Sequence, residues 1–247
     1  MKILVINGSP KGERSNTLKL ADAFVEGISS RCETEVRKVT LVGKDIKFCL
    51  GCFSCWGATP GECIIKDDME AIRNDILWAD LIVESFPLYF FGMPGQMKTF
   101  TDRMLPFTES YLGESAENKE GGFHEMRFDK SGKRLVVITT CGYTDTKKIY
   151  DSLTCEYDFF AGKNACAFVK CPQGELFGIP QFGDICNARL SLVKKAGEEF
   201  ALEGDVKEAT LESIGSQMIP GRAFSMILSK NWEESRKRYL EKHGDAK

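Results

Sequence analysis

Five short runs that read as β-strands recur along this chain, the first of them β-branched, with helix-period segments between them. The runs are Lys2 to Asn7, Thr34 to Leu41, Leu81 to Phe86, Arg134 to Thr140 and Ala165 to Lys170. After the first, Leu18, Ala21, Phe24, Val25 and Ile28 follow the spacing of one helical face. A second helix is predicted from near Asp67 to about Trp78, with Asp67 as its cap and Glu70 at the reciprocal position of a capping box. Pro94 leads into a third helix, with Met97, Phe100 and Met104 on one face. Weaker helical patterns follow Asp145 and cover residues 188–202. Strands alternating with helices are the signature of βαβ units, whose right-handed crossovers build a parallel sheet. The expectation is a doubly wound α/β fold: a five-stranded parallel sheet with helices on both faces. The polar, Gly-rich stretch at about 106–131 reads as an insertion. We divide the chain into a main domain, 1–203, and a C-terminal helical tail, 204–247.

Composition excludes several classes. The net charge of −3 is spread along 247 residues, so no basic stripe exists for nucleic acid. No apolar run is long enough to span a membrane. The run at Lys2 to Ile6 is too short for the apolar region of a signal peptide. A cytoplasmic protein is expected, and its ten cysteines do not read as a disulfide framework.

In such folds ligands sit at the carboxyl ends of the strands, where strand order reverses. The loop after the first strand runs Gly8-Ser9-Pro10-Lys11-Gly12-Glu13-Arg14-Ser15-Asn16-Thr17 into a helix N-terminus, where unpaired N–H groups and the dipole favour an anion. Ser9, Lys11, Ser15, Asn16 and Thr17 add donors around that point. A dinucleotide GxGxxG is absent. Glu13 and Arg14 stand where a P-loop needs Gly and Lys. A Ser-capped helix without a ligand reads equally well here. The loop after the third strand, Pro87, Leu88, Tyr89, Phe90, Phe91, Gly92 and Met93, is aromatic and suits a flat ring; a subunit contact or lid is the other reading. After the fourth strand, Thr140, Cys141, Gly142 and Tyr143 permit close backbone approach, with Cys141 read as a small apolar residue.

Gly8-Ser9-Pro10 with Ser15-Asn16-Thr17, followed by Pro87-x-Tyr89 and Pro94-x-x-x-Lys98-x-Phe100-x-Asp102-Arg103, resembles the NADPH-dependent FMN reductase family of flavodoxin-like proteins. The resemblance covers about residues 1–170. It implies that Ser9, Ser15, Asn16 and Thr17 hold the FMN phosphate. Pro87 to Phe90 would line the ring, with Thr140 to Tyr143 on its other side. It also implies a homodimer or homotetramer.

Cys49, Cys52, Cys55 and Cys63 are spaced C-x2-C-x2-C-x7-C within the segment 43–66. The spacing is closer to a ferredoxin's than to the two separated pairs of a zinc ribbon. It resembles the cysteine motif of iron-sulfur flavoproteins, which implies one [4Fe–4S] cluster beside FMN. Unligated thiols packing as small apolar residues are the other reading.

Two functions are expected. The first is an FMN-dependent oxidoreductase carrying electrons from NAD(P)H, or a reduced carrier, to a quinone-like small molecule or a protein. It needs no acid or base side chain, and none is singled out. The alternative is an iron-sulfur flavoprotein that exchanges electrons with a ferredoxin-type carrier. His124, in the insertion, reads as a surface residue.

Overall fold

The computed structural model describes residues 1–110, 124–129 and 131–244. Five strands, β1 (Lys2–Asn7), β2 (Glu35–Thr40), β3 (Leu81–Pro87), β4 (Arg134–Thr140) and β5 (Cys166–Cys171), form one parallel sheet. Their order is β2-β1-β3-β4-β5, so the chain reverses direction across the sheet between β1 and β3. The helices are α1 (Asn16–Ser29), α2 (Met69–Trp78), α3 (Gly95–Asp102), α4 (Asp151–Ala161), α5 (Gly183–Glu203), α6 (Glu208–Gly215) and α7 (Gly221–His243).

Both faces of the sheet are covered at β1, β3 and β4, which is why those strands read as near-continuous apolar runs, whereas the edge strand β2 is mostly exposed. Ile3, Val5, Leu81, Val83, Val136 and Ile138 point to one face, against α1 and α5. Leu4, Ile6, Phe86 and Val137 point to the other, against residues of α2, α3 and α4 such as Ile72, Phe100 and Leu153. On the first face the backbones of α1 and α5 touch. A Cβ on Gly27 would stand 2.0 Å from Lys194 O, and one on Gly197 would stand 2.0 Å from Phe24 O. The segment after Gly204 joins this same core through Val206, Ile214, Ile219 and Phe224.

The strands match the expected runs to within a residue or so at their ends. The capping box at Asp67 does not form. The α2 N-cap is Asp68, with no side-chain cap bond. Asp67 Oδ1 accepts the Met69 N–H at 3.1 Å, but its strongest partner is Arg103, while Glu70 lies 3.6 Å from Lys66. The Asp67 carboxylate is thus shared between the first N–H of α2 and a charge-assisted pair with Arg103. Of the expected insertion, residues 111–123 and 130 lie outside the described residues. Its flanks are joined by a bridge between Thr108 and Met126.

Candidate functional site

The reversal between β1 and β3 opens a cleft of about 510 Å³, open solvent at its mouth included. Three expected loops meet there. The lining comprises Ser9, Lys11, Ser15, Asn16 and Thr17 after β1; Pro87, Leu88 and Tyr89 after β3; and Thr140, Cys141 and Gly142 after β4. Gly174 and Glu175, after β5, complete it, and neither was singled out from sequence.

The first loop is shaped by Asn7. Its side chain donates to Gly12 O at 3.0 Å and accepts the Ser9 N–H at 3.1 Å, closing the turn ahead of α1. Ser15 is the α1 N-cap and its Oγ accepts the Leu18 N–H at 3.2 Å. Two of the expected donors are engaged within the protein. Asn16 Nδ2 donates to Gly174 O at 2.9 Å, and Thr17 Oγ1 shares a 2.7 Å hydrogen bond with Thr140 Oγ1. These bonds join the first loop to the loops after β4 and β5. Ser9 and Ser15, both buried, keep hydroxyl protons to give. The first N–H groups of α1 lack carbonyl partners one turn back, as at any helix start. The arrangement suits an acceptor-rich anion at this end.

The β3 loop is pinned by the Leu88 N–H donating to Thr140 O at 2.8 Å. Tyr89 and Gly92 then exchange two backbone hydrogen bonds, 3.0 and 2.9 Å, around Phe90 and Phe91. Those two residues have φ of 47° and 63°, a left-handed conformation that phenylalanine rarely adopts. Phe90 is fully exposed. Phe91 stacks on Tyr143 with ring centroids 6.0 Å apart. Thr101 Oγ1 lies 3.5 Å from Met93 Sδ. Phe90, Phe91, Gly92, Met93 and Tyr143 lie outside the cleft lining, and the aromatic residues among them form an exposed rim. Burial pushes the Cys141 thiol up, which leaves it a neutral, weakly nucleophilic group.

The cysteine segment is tied at its neck. The Asp45 N–H donates to Asp68 Oδ2 at 2.9 Å and the Asp68 N–H donates to Asp45 O at 3.0 Å. Cys55 is buried, Cys52 is exposed, and Cys49 and Cys63 lie between. Burial pushes the Cys55 thiol up, and the charges of Cys63, Cys49 and Cys52 add to that rise. Among the described residues, however, no three His, Cys, Asp or Glu side chains gather closely enough to hold a metal ion. Four thiols are the right donor chemistry for an iron-sulfur cluster, but as placed here they do not fit around one. Trp56 packs the segment against the insertion flank: its Nε1 donates to Leu105 O at 3.2 Å and its ring lies 5.2 Å from His124.

A parallel sheet in this order, with a cleft at its switch point, is the architecture of flavodoxin-like proteins. The chain belongs to the flavodoxin-like fold family (Flavodoxin_2), whose model matches residues 1–166. It is 36% identical over 107 residues to an iron-sulfur flavoprotein of Archaeoglobus fulgidus, a match covering 43% of this chain and 47% of that relative, about half its length. It is 25% identical over 154 residues to FMN-dependent NAD(P)H:quinone oxidoreductase 1 of Pseudomonas aeruginosa, covering 57% of this chain and 68% of that one. The NAD(P)H:quinone oxidoreductase of Methanothermobacter marburgensis shares the fold, with a TM-score of 0.58 at 16% identity, covering 82% of this chain and 96% of that one. Among the described residues no helix is long and apolar enough to cross a membrane.

Proposed function

We propose that this chain is an FMN-dependent oxidoreductase that passes electrons from NAD(P)H, or from a reduced carrier, to a quinone-like or protein acceptor. One observation carries the reading: the loops after β1, β3 and β4 converge on a single cleft at the switch point, with donors at one end and an aromatic loop at the other. Bound FMN supplies the redox chemistry. Ser9, Ser15, Lys11 and the α1 N-terminus would bind its phosphate. Pro87, Leu88 and Tyr89 would flank its ring on one side and Thr140 to Gly142 on the other, excluding water. No side chain of the cleft is assigned proton transfer. The Pseudomonas relative, named as an FMN-dependent NAD(P)H:quinone oxidoreductase, supports the donor and acceptor class.

The proposal extends to a cytoplasmic homodimer or homotetramer. A reducing compartment suits ten thiols, and the exposed rim of Tyr89, Phe90, Phe91 and Tyr143 suits coverage by a neighbouring subunit or an acceptor. The test is to reconstitute the protein with FMN and follow NADH and NADPH oxidation with a benzoquinone acceptor. Quinone-dependent turnover is the expected result. A protein that takes up FMN but oxidises neither nucleotide points to a reduced carrier as donor, and a protein that takes up no FMN overturns the reading.

A second reading, an iron-sulfur flavoprotein serving a ferredoxin-type carrier, is favoured by the spacing of Cys49, Cys52, Cys55 and Cys63 and by the name of the Archaeoglobus relative. No electron path is derived through a cluster, because the thiols do not converge. Iron and sulfide assays on protein purified without oxygen separate the two: about four irons per chain would select this reading.

A further inference from the structure

The fourth wall of the cleft carries no recognisable ligand motif. It is the short 3-10 turn Gly174–Gly178 that follows β5. Its start is fastened from several directions. The Gln173 N–H donates to Tyr143 O and the Gly174 N–H to Cys141 O, both at 2.9 Å, and Gly174 O accepts from Asn16. Gln173 is fully buried and sits at φ 55°, in the left-handed region. Its side chain holds it there. Oε1 accepts the N–H groups of Met218 and Ile219 at 2.6 and 3.0 Å, and Nε2 donates to Ile219 O at 2.9 Å. The C-terminal segment therefore clamps the turn from behind.

Glu175 projects from this fixed backbone into the cleft. Its carboxylate lies over Gly142, where an added Cβ would stand 2.5 Å from Oε1, so a side chain there would push the carboxylate aside. Its other oxygen, Oε2, is shielded from solvent and meets no donor among the described residues. An ionised carboxylate only accepts hydrogen bonds, and a shielded acceptor without a partner is costly. Ser9, Ser15, Lys11 and the α1 N-terminus, by contrast, are donors. The cleft thus offers donors at its α1 end and an unmatched acceptor at its β5 end.

We propose that Glu175 is a binding residue of the cleft, whose carboxylate turns to accept a hydrogen bond from an O–H or N–H donor of the bound molecule. The ligand is then read at two points, as an acceptor at α1 and as a donor at Glu175. The inference rests on the flavin reading, and FMN carries both kinds of group: phosphate oxygens as acceptors, with ribityl hydroxyls and a ring N–H as donors.

The test titrates flavin-free wild type, Glu175→Ala and Glu175→Met with FMN and with lumiflavin, which has the ring but no ribityl chain, by flavin fluorescence. Glu175→Met keeps volume over Gly142 without an oxygen, so a defect shared by both variants is not a cavity effect. Loss of one hydrogen bond to a charged group predicts roughly ten- to hundredfold weaker FMN binding. Glu175→Gln, which keeps an acceptor oxygen, should recover part of that loss. An equal loss with lumiflavin assigns the ring N–H as donor, and a loss confined to FMN assigns the ribityl hydroxyls. If either folded variant, Ala or Met, binds FMN as tightly as wild type or tighter, the inference is overturned while the flavin reading stands. If wild type itself takes up no FMN, both fall together.

Discussion

Arg103 and Asp67 form an ion pair with both side chains removed from solvent, Nη1 to Oδ2 at 2.6 Å, with exposures of 1% and 0%. The same guanidinium donates to Lys47 O at 2.7 Å and lies 3.5 Å from Cys63 Sγ, while Asp67 Oδ2 accepts the Lys47 N–H at 3.0 Å. One residue just past the end of α3 therefore gathers both ends of the cysteine segment. Burial works to raise the Asp67 carboxyl, but the Arg103 guanidinium and the N–H donors outweigh it and hold the group below the usual carboxylate range.

Asp67→Ala leaves Arg103 buried without its counter-charge. The expected cost is about 3–5 kcal/mol of folding stability, read as a lower urea midpoint. A loss below about 1 kcal/mol would mean the pair behaves like an exposed one.

Glu84 gives the pH dependence. It lies in the middle of β3, buried, with Tyr157 as hydrogen-bond donor to its carboxylate. Burial raises its carboxyl to about 7 from a reference of 4.5, against the opposing Tyr157 bond, and the charge of Glu156 adds to the rise. Because the folded value is the higher one, the folded state binds the proton more tightly than the unfolded chain. Stability from this group is complete below about pH 4.5 and is lost as pH rises through about 7, by about 3 kcal/mol in total. Urea midpoints of wild type minus Glu84→Gln should fall over that window. A flat difference would remove Glu84 as the cause.

Ser9 separates phosphate recognition from ring recognition. Ser9→Ala is expected to weaken FMN roughly tenfold, the effect of one hydrogen bond to a charged group, and to leave riboflavin, which has no phosphate, unchanged. Equal losses for both flavins would move the phosphate away from the α1 end.

The Phe90-Phe91 turn is a strained one. A left-handed conformation costs a residue with a side chain roughly 1–2 kcal/mol relative to its normal region, and the fully exposed Phe90 ring gains no burial in return. Phe90→Gly should therefore raise the melting temperature. If quinone turnover also weakens, through a higher KM, the ring belongs to the acceptor's contact surface. A lower melting temperature would show the ring engaged in solution, as by a second subunit.

Sequence carried the sheet because its inner strands β1, β3 and β4 are buried on both faces and must be largely apolar along their length, while the edge strand β2 is mostly exposed. Arg134–Thr140 agrees at both ends for that reason. The loops after β1, β3 and β4 were legible through their position after strands and their residue types. What sequence hid is the tertiary pairing of polar groups. Asp67 accepts the first N–H of α2, as its local sequence suggests, yet its charged partner stands 36 residues later. Gly174 and Glu175 belong to no motif, and are held at the cleft by bonds to Cys141 and Asn16 and by Gln173, which bonds to Ile219, 46 residues away. The C-terminal segment packs on the α1/α5 face through Val206, Ile214, Ile219 and Phe224, and its helical pattern alone does not say which face of the sheet it joins.

The most direct test of the central claim is flavin content. The protein is purified without oxygen, reconstituted with FMN, freed of unbound flavin and assayed for flavin per chain. The cleft predicts one FMN per chain, with absorbance bleached on reduction by NADH, NADPH or a reduced carrier. A folded protein that retains no flavin after reconstitution would contradict it.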